Sequence, residues 1–315
     1  MWLPVPLVTV VIPAFNRAPV LRRAIDSVLG QSFGDFEIIV VDDGSADGTA
    51  VQAAQCADPR LRVLRHDTNR GAAAARNTGI RAAAGALIAF LDSDDEWVPQ
   101  KLERQVAALQ RAPAKVLMST TGYWMLRERS REVRARTPRN VADWGAALRS
   151  GCVLSPGSTA MMRREAFAIH GLFDEELRRL EDWDWLLRYV AQHDILVVPE
   201  PLARIHMAER MAPAAVLAAA RLLRRKHDAA MRRLGYWPNA QFKAALLMEQ
   251  GVTCYYAGQP LRALSYLAGS LALYPRKPPA FFAGAARRVV RLLRHGRSAP
   301  ATTAVEPFGN NERLG

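Results

Sequence analysis

From residue 7 to residue 119, short apolar runs alternate with longer stretches in which apolar positions recur every three or four residues. That rhythm predicts strands joined by crossover helices, and hence an α/β fold with a mostly parallel sheet flanked by helices. The first two runs span 8–12 and 38–41. Between them Val20, Leu21, Ala24, Ile25, Val28 and Leu29 share one helical face, and Pro19 suits a first helical turn, where its missing N–H costs no intrahelical bond. Runs at 61–64 and 87–91 are the expected third and fourth strands. The alanine-rich stretch 72–84 between them reads as a helix that Gly85 closes, and another helix is expected from Pro99.

Past residue 205 the strand signals fade, and stretches rich in Ala, Leu and Arg keep helical spacing at 217–234 and 241–256. The segment 258–275, with Ala263, Leu267 and Leu271 on one face, resembles a single tetratricopeptide unit. The tail from 297, with Pro300, Thr302, Thr303 and Asn310, is expected to be unstructured. The expected organisation is a catalytic domain over 1–208, an α-helical C-terminal extension over 209–297 and a tail over 298–315.

A chain of 315 residues with half of them apolar can bury a substantial core, which excludes disorder throughout. The apolar start at 1–15 lacks a basic leading region and contains Pro4, Pro6 and Pro13, so it reads as structure and not as a signal peptide. No run of about 18 residues is free of charge, as a membrane-crossing helix would need. Cys56, Cys152 and Cys254 show no paired spacing, which fits a reducing, cytoplasmic setting.

The net charge of +13 gathers in arginine-rich stretches at 127–139, 221–233 and 287–297. Solvated helix faces account for such stretches, and so does an anionic partner. Almost no aromatics interleave with the arginines at 221–233 and 287–297, so nucleic acid is not the expected partner. An anionic membrane surface, at the inner face of the plasma membrane, fits the segment 281–294 better, where Arg287, Arg288, Arg291 and Arg294 punctuate an apolar helix.

In an open α/β sheet, ligands bind beyond the carboxyl ends of the strands, and the polar residues of this chain fall there. Pro13, Ala14, Phe15 and Asn16 follow the first run; Asp42, Asp43, Gly44 and Ser45 the second; Asp92, Ser93, Asp94 and Asp95 the fourth. Two carboxylates in one tight loop repel each other unless a cation or protons offset the charge. Oxygen ligands favour Mg2+ or Mn2+, which bind through one or two carboxylates and substrate phosphates. The other reading of Asp92–Asp95 is a polar turn with Asp95 as helix cap. Asp42–Ser45 taken alone is an ordinary turn, but four carboxylates at one edge favour a site. No Gly-x-Gly-x-x-Gly follows the first strand and no Gly-Lys-Ser/Thr loop is present, which disfavours dehydrogenases and P-loop kinases.

The stretch 180–189 reads Leu-Glu-Asp-Trp-Asp-Trp-Leu-Leu-Arg-Tyr. Trp183, Leu186, Leu187 and Val190 suit the buried face of a helix that begins with Glu181 and Asp182. A carboxylate there either serves the helix dipole or acts as a general base.

Taken together, the ordered segments resemble the family 2 glycosyltransferases of GT-A (Rossmann-like) fold over about residues 7–206. They are Val-Ile-Pro-Ala-Phe-Asn at 11–16, Val-Asp-Asp-Gly-Ser-Ala-Asp-Gly-Thr at 41–49, Asn-Arg-Gly at 69–71, Ala-Arg-Asn-Thr-Gly at 75–79, Leu-Asp-Ser-Asp-Asp at 91–95 and Glu-Asp-Trp-Asp at 181–184. The resemblance implies an inverting, metal-dependent transferase that moves a sugar from a nucleotide-diphosphate donor to a hydroxyl acceptor, in cell-surface polysaccharide or glycolipid assembly. It implies that Pro13, Phe15, Asn16, Asp43, Arg70, Arg76, Asp92 and Ser93 serve the donor nucleotide, with Asp43 at the base, Arg70 or Arg76 at the base or phosphates and Asp92 at the ribose. It implies further that Asp94 binds Mn2+ or Mg2+ and that Asp182 deprotonates the acceptor. His206 stands where some relatives supply a metal or diphosphate ligand, an ordinary histidine being the alternative. Gly157, Ser158 and Thr159, with Arg163, Phe167, Gly171, Phe173 and Asp174, resemble the segment that shapes the acceptor side, and read as scaffold.

Two rival functions remain. A sugar nucleotidyltransferase would carry a glycine-rich basic loop after strand one, where only Asn16 and Arg17 stand. A non-enzymatic polyanion- or membrane-binding adaptor would retain the acidic loops merely as turns.

Overall fold

All four apolar runs form strands. The computed structural model describes residues 5–127, 132–152, 154–207 and 213–275. Its first half runs β1 (Val8–Ala14), α1 (Ala18–Leu29), β2 (Phe36–Asp42), α2 (Thr49–Ala54), β3 (Leu61–Arg65), α3 (Ala72–Ala82) and β4 (Leu87–Phe90). β1 pairs in parallel with β2 and with β4, and β2 in parallel with β3. The carboxyl ends of all four therefore lie on one edge.

Helix α1 forms for the reasons its sequence gives: Pro19 sits in the first turn, and Leu21, Ala24, Ile25 and Val28 are buried against Val8, Val10 and Ile12 of β1. Burying each larger aliphatic side chain contributes about 1.5–3 kcal/mol. On the opposite face α3 packs so closely that a Cβ at Gly79 would overlap the Val11 side chain, while Ala75 meets Ile39 and Val41.

The rest of the chain runs β5 (Glu96–Trp97), α4 (Lys101–Arg111), β6 (Met118–Arg127), β7 (Glu132–Arg136), α5 (Trp144–Arg149), α6 (Pro156–Thr159), β8 (Met161–Arg163), α7 (Glu165–His170), α8 (Glu181–Tyr189), β9 (Ile195–His206), α9 (Pro213–Arg233), α10 (Tyr236–Tyr256) and α11 (Pro260–Leu273). The sheet is ordered β3-β2-β1-β4-β8-β6-β9-β5, with β7 on the side of β6.

Here the sheet departs from the mostly parallel expectation and is mixed. β8 runs antiparallel to β4 and β6, β7 antiparallel to β6 and β5 antiparallel to β9, while β6 and β9 are parallel. The later strands escape a periodicity reading because polar Ser119, Thr120 and Thr121 open β6, and β9 contains Pro199 and Pro201. Proline removes a ladder donor and belongs at bulges. The register between β6 and β9 shifts around Gly122, opposite that proline pair.

Two smaller expectations also change. Helix α3 ends at Ala82, with extended Ala83 after it, so Gly85 does not close it. Gly85 lies instead against the backbone of Val8 and Thr9, where a Cβ would collide. Helix α4 begins at Lys101, two residues after Pro99.

Contacts divide the chain into two compact units, 1–148 with 152–208 and 149–151 with 209–315. The second unit is helical over its described residues 213–275, where α10 and α11 form a hairpin in which Gly251 allows close approach of Leu267. The segment 281–294 and the tail from 297 lie outside the described residues. No helix among the described residues is long and apolar enough to cross a membrane.

Candidate active site

The turn after β1 is fixed by the turn after β2. Asn16 adopts φ 52°, donates its N–H to Ser45 Oγ at 2.8 Å and accepts the Ala46 N–H on Oδ1 at 3.0 Å. Within the second turn, Asp42 accepts the Ser45 N–H at 3.1 Å. Pro13 pairs in register with Val41, and Phe15 stands 42% exposed at the rim.

Asp43 is buried and anchors the loop that follows β3. It accepts the N–H groups of Arg70 at 2.9 Å and Gly71 at 2.7 Å, and His66 Nδ1 lies 2.7 Å from it. His66 Nε2 lies 2.9 Å from Thr78 Oγ1 on α3, so the imidazole bridges the carboxylate to the next helix. The loop needs two glycines: Gly44, at φ 75°, has no room for a Cβ beside Thr68 and Asn69, and Gly71 opens α3 at φ 95°. The Arg70 side chain donates to Glu175 at 2.8 Å.

Arg76 ties the two acidic segments together. Its Nη2 donates to Asp92 at 2.7 Å and its Nη1 to Glu181 at 2.6 Å. Burial disfavours its charge, but Asp92, Glu181 and Asp182 outweigh that cost and strengthen its hold on the proton. Asp182 follows at the head of α8, where Leu180 sits in the left-handed region at φ 63°. Burial and then the Glu181 charge push the Asp182 carboxyl up to about 6, with Asp92 adding to the rise. Among the described residues, Asn16 and Leu180 alone combine a side chain with positive φ, the first in the turn after β1 and the second directly before α8.

In the Asp92–Asp95 loop the three acids part in role. The Asp92 carboxylate lies against Gly157, where a Cβ would overlap it. Burial, then the neighbouring Asp92, raises the Asp94 carboxyl; Arg17 Nε, 3.6 Å away, opposes the rise. Ser93 is buried. Asp95 is no helix cap: it is buried and takes the Ser158 hydroxyl at 2.5 Å and the His206 N–H at 2.9 Å. His206 Nε2 lies 2.9 Å from Glu96, and its positive form favours ionised Asp94.

Sequence reasoning read Gly157 and Ser158 as scaffold, yet they cradle this loop: Ser158 also accepts the Asp92 N–H at 3.1 Å. His66, Arg17, Glu96 and Glu181 were likewise not singled out as site residues. For His66 and Arg17 a signal existed, since each follows directly on a strand end or its turn at the ligand-binding edge.

Among the described residues no group of three or more His, Cys, Asp or Glu side chains is arranged to enclose a metal. The donor set fits instead a hard cation held by one carboxylate and a diphosphate. Burial and Asp92 raise the Asp94 carboxyl, and Arg17, 3.6 Å away, offsets that rise only in part. Chemically, the edge offers a raised carboxyl for proton transfer, a buried guanidinium, and turns at Asn16 and Leu180 held at positive φ.

The family model for glycosyl transferase family 2 matches residues 9–169, about half of the chain and all the acid loops except the Asp182 segment. The glucosyltransferase WfgD of Escherichia coli, which acts from UDP-Glc on alpha-D-GlcNAc-diphosphoundecaprenol, is 40% identical over 33% of this chain and 41% of its own. The succinoglycan biosynthesis protein ExoO of Rhizobium meliloti is 44% identical over 40% of this chain and 36% of its own. The alignments thus span less than half the length of these relatives. Among solved structures, S. aureus TarS 1–349 with UDP-GlcNAc superposes with a TM-score of 0.56 at 18% identity, covering 93% of each chain. The mannosyltransferase PcManGT of Pyrobaculum calidifontis with GDP-Man and Mn2+ gives 0.55 at 21% identity, over 91% of this chain and 81% of its own. These likenesses establish a shared GT-A fold, and the family match, falling on the residues that build the ligand edge, establishes that the chain belongs to glycosyl transferase family 2.

Proposed function

We propose that the protein is an inverting glycosyltransferase that moves a hexose from a nucleotide-diphosphate donor to a hydroxyl of a glycan or lipid-linked glycan. Pro13, Phe15, Asn16, Asp43, Arg70, Arg76, Asp92 and Ser93 hold the donor nucleotide, and Asp94, with His206, holds Mn2+ or Mg2+. When bound, that cation supplies positive charge beside the diphosphate. Asp182 takes the acceptor O–H proton, the acceptor oxygen forms a bond to the anomeric carbon on the face opposite the diphosphate, and the bond to the diphosphate breaks, releasing the nucleoside diphosphate. Arg76 holds Asp92 and Glu181 in place around this reaction.

The observation that carries the reading is the Asp182 carboxyl, pushed up to about 6 at the head of α8 beside Glu181, which Arg76 links to Asp92 of the acid loop. A base tuned near the working pH contributes a factor of roughly a hundred to ten thousand in rate. The UDP-linked substrate of WfgD and the UDP-GlcNAc complex of TarS make UDP-hexoses the first donors to try, and the ExoO and WfgD matches support polysaccharide or glycolipid assembly. The test is release of nucleoside diphosphate from UDP-Glc, UDP-GlcNAc and GDP-Man with a lipid-linked acceptor, with and without Mn2+. Release that needs both acceptor and cation supports the reading; no turnover of any donor by folded protein overturns it.

A further inference from the structure

The C-terminal unit contains a cleft lined by none of the residues of the candidate active site. It lies among α9, α10 and α11 and encloses about 250 Å3. Leu246 and Leu247 of α10 and Leu273 of α11 give it apolar walls, while Arg221 and Arg224 of α9 and Lys243 of α10 bring positive charge to it. Lys243 pairs with Asp228 at 3.4 Å, and Arg232 shares that carboxylate at 2.8 Å. Arg221 and Arg224, one turn apart and exposed, form no ion pair among the described residues.

Two unpaired guanidinium groups beside leucine walls match a molecule that is anionic at one end and apolar at the other. Guanidinium is well suited to phosphate, which it can bind through two parallel hydrogen bonds. A free phosphate would leave the apolar walls without a partner, and a nucleic acid would call for several aromatic rings on which to stack bases, whereas Tyr266 is the single aromatic side chain lining the cleft. The cavity is smaller than the roughly 300–1,000 Å3 of sites that enclose a whole small molecule. It therefore suits a headgroup and the first part of a chain whose remainder stays in a bilayer. Helix α11 also exposes Leu261 at 67% and Leu264 at 40%, and such leucines near basic residues characterise helices that rest on a membrane surface.

We propose that this cleft binds the phosphate headgroup and adjoining chain of an anionic lipid and so holds the enzyme at a membrane. The proposal rests on the membrane-borne acceptor only for its purpose; lipid binding itself is measured without sugar transfer.

The experiment is co-sedimentation of the full chain with phosphatidylcholine vesicles, with and without phosphatidylglycerol. It compares the wild type, Arg221→Ala/Arg224→Ala, Leu247→Trp and a charge-matched control, Arg232→Ala/Arg233→Ala. Each basic residue at an anionic surface contributes about 1 kcal/mol, so the first double variant should bind about thirtyfold more weakly. Leu247→Trp keeps every charge but fills the cleft, and is expected to lose binding as well, while the control loses several-fold less than the first variant. Circular dichroism and donor hydrolysis, read at the other unit, verify that each variant is folded. Equal losses in the two double variants, full binding by folded Leu247→Trp, or complete displacement of the vesicles by inorganic phosphate would each overturn the proposal.

Discussion

The guanidinium of Arg76 and the carboxylate of Glu181 lie 2.6 Å apart, and this buried ion pair fastens α3 to the head of α8. The second residue of α8 is Asp182, and the other arm of the same guanidinium holds Asp92 at 2.7 Å. One side chain thereby sets the position of the proposed base relative to the donor loop. Breaking such a pair strands a buried charge, at a cost of about 3–5 kcal/mol.

Asp182 must be ionised to accept a proton, so transfer is expected to fall about tenfold per pH unit below about 6, the value to which its carboxyl is raised. Asp182→Asn is expected to lower kcat by roughly a hundredfold or more while leaving the donor Kd within a few-fold. The stability effect has the opposite sign. Between the ordinary value of 3.8 and about 6 the folded state binds more protons than the unfolded state, so stability falls as pH rises through that window. Asn removes this burden, and Asp182→Asn is expected to melt a few degrees higher at pH 8. A pH-rate profile and melting curves check both; equal activity of the variant removes Asp182 from its role.

Gly157→Ala places a methyl group against the Asp92 carboxylate. The side chain must then move away from Arg76, and the donor KM is expected to rise about tenfold, equivalent to about 1.4 kcal/mol, with a smaller change in kcat. Steady-state kinetics with the donor varied measure this split.

His66→Phe removes a ring nitrogen 2.7 Å from Asp43 and another 2.9 Å from Thr78. The Asp43 carboxylate keeps the N–H groups of Arg70 and Gly71 but loses its tie to α3. Donor affinity is expected to weaken several-fold, with partial recovery in His66→Gln, which restores one polar contact; calorimetric titration of the donor reads the difference.

Lys101 is fully buried, 2.6 Å from Gln105 and 4.0 Å above the Trp97 ring. Burial holds its ammonium well below the ordinary value of 10.5. Between its lowered folded value and 10.5 the unfolded chain binds the extra proton, so stability rises with pH across that window. Lys101→Met is expected to fold and to flatten that rise; urea unfolding at a series of pH values checks it.

The parallel half of the sheet was legible because β1, β2 and β4 are buried on both faces and read as unbroken apolar runs, while α1 carries a single apolar stripe. The mixed half was not, because Ser119, Thr120 and Thr121 are buried polar residues and two of them find tertiary partners: Gln105 donates to Ser119 Oγ at 3.1 Å, and Thr120 Oγ1 lies 2.9 Å from Thr159 Oγ1. No local pattern encodes such a partner 14 residues away. The site divides in the same way. Its acids stand out because paired carboxylates at strand ends are costly without a purpose. Asp95 resembled its neighbours in sequence, and only tertiary structure gives it to Ser158 and His206 in place of α4. Gly157 touches Asp92 across 65 residues of chain, so its role depends on the fold as a whole.

In the proposed function, carboxylates at one sheet edge require a cation to take up a sugar nucleotide. Isothermal titration of UDP-Glc, UDP-GlcNAc and GDP-Man into the wild type and Asp94→Ala, with and without Mn2+, tests this most directly. The wild type is expected to bind at least one donor about tenfold or more tightly with Mn2+, and Asp94→Ala to lose that gain. Folded wild-type protein that takes up no donor in a cation-dependent way, or an Asp94→Ala variant that keeps the full gain, would contradict it.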